Sequence, residues 1–498
     1  MRPEVIVARL LVLLGLPALA SPARIAWVSD IHLDLMYGTP LAVGPCRTNE
    51  SNPYGSAACD TPLLALQSLM DDVVSSNFSY MFVAGDLICH DIVNLGNYSF
   101  AINTFATVFR YFSEFKGDGR FTAPSVAFAL GNNDRLPAWE LNVSQSYDRQ
   151  LHNLTEILLD DDLLAPSDAL NFSHCAFYSH AVSASLRVIV LNTIIYAPKL
   201  KPPVNETLVP DPCAQFDFLS RVLQLARQEG RRVVIIAHVP PVMGIEYINS
   251  PSGLSASTEY WKPQYQRTYF SVVAEFKDVV ALQLFGHMHM FAMFADEALG
   301  MPIMLIPGVT QIDNNSASYL SVDMDDTTWG LTSLTQRTIN DTTGVWSSGL
   351  SLNDLMAGAG ISVAPGADLG NVTLLAAVIR AMFTNDTLWN TYVKMYSGGA
   401  GNTLPLECAT AGSPCRTWVL CSMLHVYYDD TLACVQDHHP PGSPRVTSGL
   451  LLGLGMGIPA ALVVAVGIAW FARQRRRRRP LPSLGETAEL IGSYKEAA

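Results

Sequence analysis

The sequence predicts an α/β domain, and three observations lead to it. Six apolar runs, at 24–30, 80–86, 125–131, 186–192, 232–238 and 279–287, are rich in Val, Ile, Leu and aromatic residues with little polar alternation. Strands covered on both faces read this way. Segments of helical spacing, such as 61–75 and 216–228, lie between the runs, and strand–helix alternation of this kind indicates an α/β sheet. Finally, Asp30, Asp86, Asn132, His238 and His287 each stand just past the C-terminal end of one run. Ligands bind at that edge of an α/β sheet, because its loops converge on one point.

The ends of the chain read differently from the middle. Residues 10–20 are apolar, follow Arg2 and Arg9, and close on Ala18, Leu19 and Ala20, which reads as a secretory signal peptide over 1–20. The run is short for a membrane anchor. Residues 448–472 carry no charge, and Arg473 and Arg475 to Arg479 follow. That stretch has the length of a membrane-spanning helix, and the arginine block places residues 473–498 in the cytosol. The expectation is a type I single-pass membrane protein with its main domain lumenal or extracellular. In the tail, Glu486, Leu490 and Ile491 resemble an acidic dileucine signal for sorting adaptors, consistent with an endolysosomal destination.

Asn-x-Ser/Thr acceptor sites recur through the middle of the chain, from Asn49 to Asn385, with none in the tail, which favours N-glycosylation. Of nine cysteines, Cys408, Cys415, Cys421 and Cys434 cluster late, and Cys46 and Cys59 lie near the start. In an oxidising lumen these read as disulfides, with Cys89 a candidate for the unpaired thiol. The net charge of −13 includes the basic tail, so the lumenal part is more acidic still. Binding of nucleic acid through a basic face is not expected. The composition turns rich in Gly and Ala after about residue 350. The expected organisation is a catalytic domain over 21–350, a helical cysteine-rich subdomain over 351–437, a stem over 438–447, then the span and the tail.

Asp30 and His32 sit on alternate residues, as do His287 and His289 after Gly286, so each pair can project one way from extended backbone. Asp86 follows Gly85, and its two oxygens could bridge two cations; Asn132 follows Gly131 and offers a neutral amide oxygen. Carboxylate, amide oxygen and imidazole without thiolate suit two divalent ions, with zinc favoured and manganese or iron as alternatives. Each short pattern alone is as often structural; their order and their strand-end placement make them one site.

In this order the residues resemble the calcineurin-like metallophosphoesterase superfamily, over roughly 25–291. The resemblance implies a four-layer α/β/β/α metallophosphoesterase sandwich. It implies one metal held by Asp30, His32, Asp86 and His289, and a second by Asp86, Asn132, His238 and His287. The activity implied is hydrolysis of a phosphate-containing substrate. His90, four residues beyond Asp86, is the expected proton donor to the leaving oxygen. The spacing around His90 and the late cysteines resemble acid sphingomyelinase-like phosphodiesterases and endopolyphosphatases, whose pattern implies the pairs Cys408–Cys415 and Cys421–Cys434. Asn133 stands where most of the superfamily has histidine; it can hydrogen-bond to substrate but is no useful proton donor. A phosphate leaving group needs less protonation than an alkoxide. The expectation therefore leans to phosphoanhydride cleavage of the endopolyphosphatase type, with a nucleotide or sphingomyelin-type phosphodiester as alternative and a catalytically silent glycoprotein as a third reading.

Overall fold

The computed structural model describes residues 22–438, except 43, 48–51, 91–97, 118, 120–123, 246–258 and 401–407. The expected signal peptide, membrane span and tail, with Glu486, Leu490 and Ile491, lie outside the described residues. Among the described residues no helix is long and apolar enough to cross a membrane.

Strands are numbered β1 to β14 in chain order. The first six-stranded sheet is centred on β1 (Ala23–Val28), which pairs in parallel with β4 (Tyr80–Val83), and β4 in turn with β5 (Val126–Phe128). On its other side β1 meets three antiparallel strands, β12 (Ser318–Met324), β13 (Leu331–Ile339) and β14 (Trp346–Ser351). The second sheet has a parallel centre of β7 (Leu186–Val190), β8 (Arg232–Ile236), β9 (Val280–Phe285) and β11 (Ile303–Leu305). It is edged by antiparallel β6 (Tyr178–Ala181) and β10 (Ala292–Phe294). A short parallel pair, β2 (Leu33–Asp34) and β3 (Thr61–Pro62), completes the set.

All six apolar runs form the cores of strands, β1, β4, β5, β7, β8 and β9, and each of these has a parallel partner. β4 and β7 are buried at every position, which is why they read as unbroken apolar runs. β13 instead alternates buried and half-buried residues, as an antiparallel strand with one wet face does. The sheets touch across Tyr178, whose hydroxyl meets both the N–H and the carbonyl of Phe128.

Helices cover the strands. Gln215–Glu229 buries Phe216, Leu219, Val222, Leu223 and Ala226, an i, i+3/i+4 stripe, against β7 and β8. It ends at Gly230, whose left-handed φ of 66° suits a residue without Cβ. Leu219 is fully buried there, so truncation to Ala costs about 2–5 kcal/mol.

The helical C-terminal segment begins at Leu352–Gly358, where Ser351 and Asp354 form a capping box. Val372–Ala381 and Asp386–Tyr396 follow, with the Asn371 and Asn385 side chains accepting first-turn N–H bonds. Pro414–Leu424 and Tyr428–His438 close the described chain. This segment holds β10, the strand that follows His287 and His289, at both ends: Phe291 N–H donates to Tyr396 O, and Ala295 N–H to Met423 O.

Disulfides join Cys46–Cys59, Cys175–Cys213, Cys408–Cys415 and Cys421–Cys434, and Cys89 is buried outside these four bonds. Two pairs are those the resemblance implies. Cys175–Cys213, 38 residues apart, had no sequence cue. Cross-links of this kind typically contribute about 2–4 kcal/mol and fit an oxidising compartment.

Candidate metal centre

The strand ends of both sheets converge. Val28 closes β1 and Val83 closes β4, and Asp30 N–H and His32 N–H donate to Gly85 O and Asp86 O. From the second sheet, Gly286 N–H donates to His238 O. The two sheets are then tied together, because His287 N–H donates to the Asp30 carboxylate at 3.0 and 3.1 Å.

The glycines that precede ligand candidates are there for space. A Cβ on Gly131 would lie 2.1 Å from Asp86 Oδ1, and one on Gly286 would lie 2.0 Å from Ser29 Oγ. The neighbouring residues themselves carry strain. Asp30, His32, Asp86, His287 and His289 have φ of 49°, 45°, 56°, 74° and 57°. Non-glycine residues rarely adopt this region, which costs about 1–3 kcal/mol each and marks functional sites.

Side chains from both sheets meet at Asp86. His32 Nε2 lies 3.5 Å and His238 Nε2 3.3 Å from the same atom, Asp86 Oδ2. His238 Nε2 is also 3.1 Å from Asn132 Oδ1. His289 Nε2 lies 3.4 Å from Asp30 Oδ1 and 3.2 Å from His32 Nε2. Asp30, His32 and Asp86 form one group able to hold a metal, and Asp86, His238 and His287 another, with ligand atoms in each within 4.8 Å of one another. The two groups share Asp86.

The hydrogen-bond roles show that these residues fit cations. His32 Nδ1 donates to Ile88 O and His238 Nδ1 to Ala84 O, while His289 Nδ1 lies 2.8 Å from Asp313 Oδ2. With the proton on Nδ1, each inward Nε2 is a lone pair. Those lone pairs face carboxylate oxygens, an amide oxygen and each other. Buried acceptors facing acceptors need a cation between them. The titration behaviour agrees: although burial disfavours its charge, the Asp86 carboxylate pushes His238 up to about 9, so a proton stands where a metal would. His32 and His287 go the other way, to about 4 and about 3, chiefly through burial.

His90 stacks on His32, ring centroids 4.0 Å apart, with its side chain one-third exposed. Its Nδ1 lies 3.0 Å from Asp60 Oδ1, and Asp60 also accepts the His90 backbone N–H at 2.9 Å. Burial opposes the charged ring, but the Asp60 bond and charge outweigh it and raise the His90 pKa. Asn133 turns inward. Its backbone N–H donates to Asp86 Oδ1 and its side-chain amide to Asp86 Oδ2, at 2.7 and 3.0 Å.

Several residues around the centre had escaped sequence reading. The Asp134 carboxylate accepts N–H bonds from Asp86, Leu87 and Gly131 at 2.9, 2.7 and 2.8 Å. Its place two residues after Asn132 was the one available cue. Asp60 and Asp313 act from 30 and 24 residues away in sequence, with no local signal.

A sequence model described as "Calcineurin-like phosphoesterase" matches residues 23–291, which contain every residue of the centre from Asp30 to His289. The chain belongs to the calcineurin-like phosphoesterase family. Among curated relatives, "Cyclic GMP-AMP phosphodiesterase SMPDL3A" of Homo sapiens is 29% identical over 303 residues, covering 57% of this chain and 62% of that protein. "Sphingomyelinase phosphodiesterase D" of Dictyostelium discoideum is 26% identical over 291 residues, 53% of this chain and 60% of that protein. "Sphingomyelin phosphodiesterase" of Homo sapiens is 26% identical over 460 residues, 83% and 65%. The chain thus spans just under two thirds of the length of these relatives.

Proposed function

We propose that this phosphoesterase-family chain is a two-metal hydrolase of phosphodiesters, with Asp30, His32, Asp86 and His289 holding one ion and Asp86, Asn132, His238 and His287 the other. The observation that carries the reading is the sharing of Asp86 by two ligand groups. Oxygen and imidazole donors fit zinc, with manganese or iron as alternatives. Two such cations supply Lewis acidity, which activates water and screens the phosphoryl oxygens during in-line displacement.

The chain's own residues do the rest. Asp134 and Asn133 hold Asp86 from the backbone side and the carboxylate side. Asp60 fixes the His90 proton on Nδ1 and favours the charged ring, so Nε2 carries the second proton to the leaving oxygen. The relatives named for phosphodiesterase activity support the diester. A second reading, cleavage of a phosphoanhydride, is favoured by Asn133: its amide is committed to Asp86, so no second imidazole protonates the leaving group. The four disulfides fit a lumenal or extracellular unit, and we read 448–472 as its membrane span and the tail as the sorting segment.

Elemental analysis with hydrolysis of bis(4-nitrophenyl) phosphate tests the assignment. The full chain is expected to bind two metal ions and to turn over. Asp86→Asn is expected to lose metal and on the order of a thousandfold in kcat/KM. Metal-free wild-type protein without turnover would leave only the silent glycoprotein.

A further inference from the structure

His287 is flanked by two aromatic rings. Trp139 meets it edge-on with centroids 5.5 Å apart, and Tyr260 does so at 5.2 Å. Trp139 is unusual in itself, for it is a bulky residue at φ 67°, which costs free energy unless the surroundings enforce it. They do. Its N–H donates to Asn132 O, and its carbonyl accepts the Lys201 N–H at 2.8 Å, while Leu141 N–H donates back to Lys201 O. Two loops are thereby locked into one lip beside the centre, with Trp139 directly tied to a ligand candidate.

The lip presents a cation. Lys199 Nζ lies 5.3 Å from the Trp139 ring centroid, in the range of a cation–π contact. A π face positions an ammonium without cancelling its charge. Two basic residues of neighbouring loops are instead paired, Arg135 with Asp148 and Lys262 with Glu206. Among the described residues no carboxylate pairs with Lys199. In a chain of net charge −13, an ammonium positioned at the lip of the centre, with no carboxylate partner among the described residues, calls for an anionic group of the ligand.

We propose that Lys199, seated on Trp139, is a subsite for a second phosphate, so that a substrate carrying a diphosphate unit, the second of the two readings above, binds with one phosphoryl at the metal centre and its neighbour at the lip. The inference rests on the two-metal reading for the position of the first phosphoryl. A nucleoside polyphosphate and a short inorganic polyphosphate both contain this unit.

The test uses the metal-loaded full chain as wild type, Lys199→Ala and Lys199→Arg. Calorimetry measures binding of methylenediphosphonate and of inorganic phosphate; kinetics compare tripolyphosphate, ATP and bis(4-nitrophenyl) phosphate. Lys199→Ala is expected to weaken methylenediphosphonate about fivefold, the scale of one exposed charge contact, with phosphate within twofold. KM for tripolyphosphate and for ATP is expected to rise by a like factor, with no change for the aryl diester, and Lys199→Arg is expected to restore both. Equal effects on phosphate and diphosphonate, or none, overturn the subsite. A loss confined to ATP overturns it as well, since the lip would then read the base. If no substrate is turned over but the diphosphonate difference persists, the hydrolase reading fails and the subsite stands; turnover without that difference has the opposite meaning.

Discussion

The Asp134 carboxylate accepts the backbone N–H of Asp86 at 2.9 Å, on a residue held at φ 56°. With Leu87 and Gly131 it satisfies three buried donors at once and so holds the shared carboxylate in a conformation it would not adopt alone. Removing Asp134 leaves those donors unpaired, at about 1–3 kcal/mol each. Asp134→Ala is expected to lower unfolding free energy by at least about 3 kcal/mol in urea titration, and to weaken metal binding. Asp134→Asn, which keeps one accepting oxygen, is expected to lose less. An unchanged urea midpoint for the Ala variant would contradict this role.

Gly131 has no room for a side chain, since its Cβ would lie 2.1 Å from Asp86 Oδ1. Gly131→Ala is expected to displace Asp86 and reduce bound metal, while the remote helix Gln215–Glu229 keeps its circular-dichroism signal. Retention of both metal ions in this variant would count against the placement of Asp86.

The Asp60–His90 pair makes activity depend on pH in a defined direction. Asp60 raises His90 above 6.5 despite its burial, so the ring keeps its proton further into the alkaline range. Asp60→Asn removes that support, and burial then lowers the ring. The alkaline limb of the kcat/KM profile for a diester is therefore expected to move to lower pH; a limb that stays in place excludes His90 as the acid.

Folding should follow the same pair. Burial opposes the Asp60 charge, yet the His90 bond and charge bring its pKa from 3.8 to about 2. Its contribution is present above pH 3.8 and fades as pH falls towards 2. The His90 contribution is complete below 6.5 and fades as pH rises through the raised value. The wild type is therefore expected to gain most over Asp60→Asn between these limits, which urea midpoints measured from pH 2 to 9 will show.

Metal removal is expected to destabilise the fold, because ions held by ligands from both sheets bind the folded chain and not the unfolded one. A ligand at a hundred times its Kd stabilises by about 2.7 kcal/mol. Dialysis against a chelator is therefore expected to lower the Tm by several degrees, and added zinc to restore it. Equal Tm with and without chelator would speak against a bound ion.

Six parallel strands, β1, β4, β5, β7, β8 and β9, were legible because they are buried on both faces, and an unbroken apolar run such as 232–236 has few other readings; the short parallel β11 was not foreseen. The strands from β12 to β14 were not foreseen; their half-wet faces dilute the apolar signal. The ligand candidates were legible for another reason. Asp30, Asp86, Asn132, His238 and His287 each follow a strand at once, so their place in the chain nearly states their place in space. Asp60, Asp313 and Lys199 stand in loops, and nothing near them in sequence marks what they touch.

Local order along the chain thus determined which residues stand at the strand ends, since the strand period and the glycines before Asp86, Asn132 and His287 are properties of neighbouring residues. Only the tertiary structure decided that His32 and His238 reach the same oxygen of Asp86 and that Asn133 faces Asp86 rather than open space. It also decided that Lys199 rests on Trp139. Those contacts join segments from different loops and two different sheets, and how the sheets pack sets their distances.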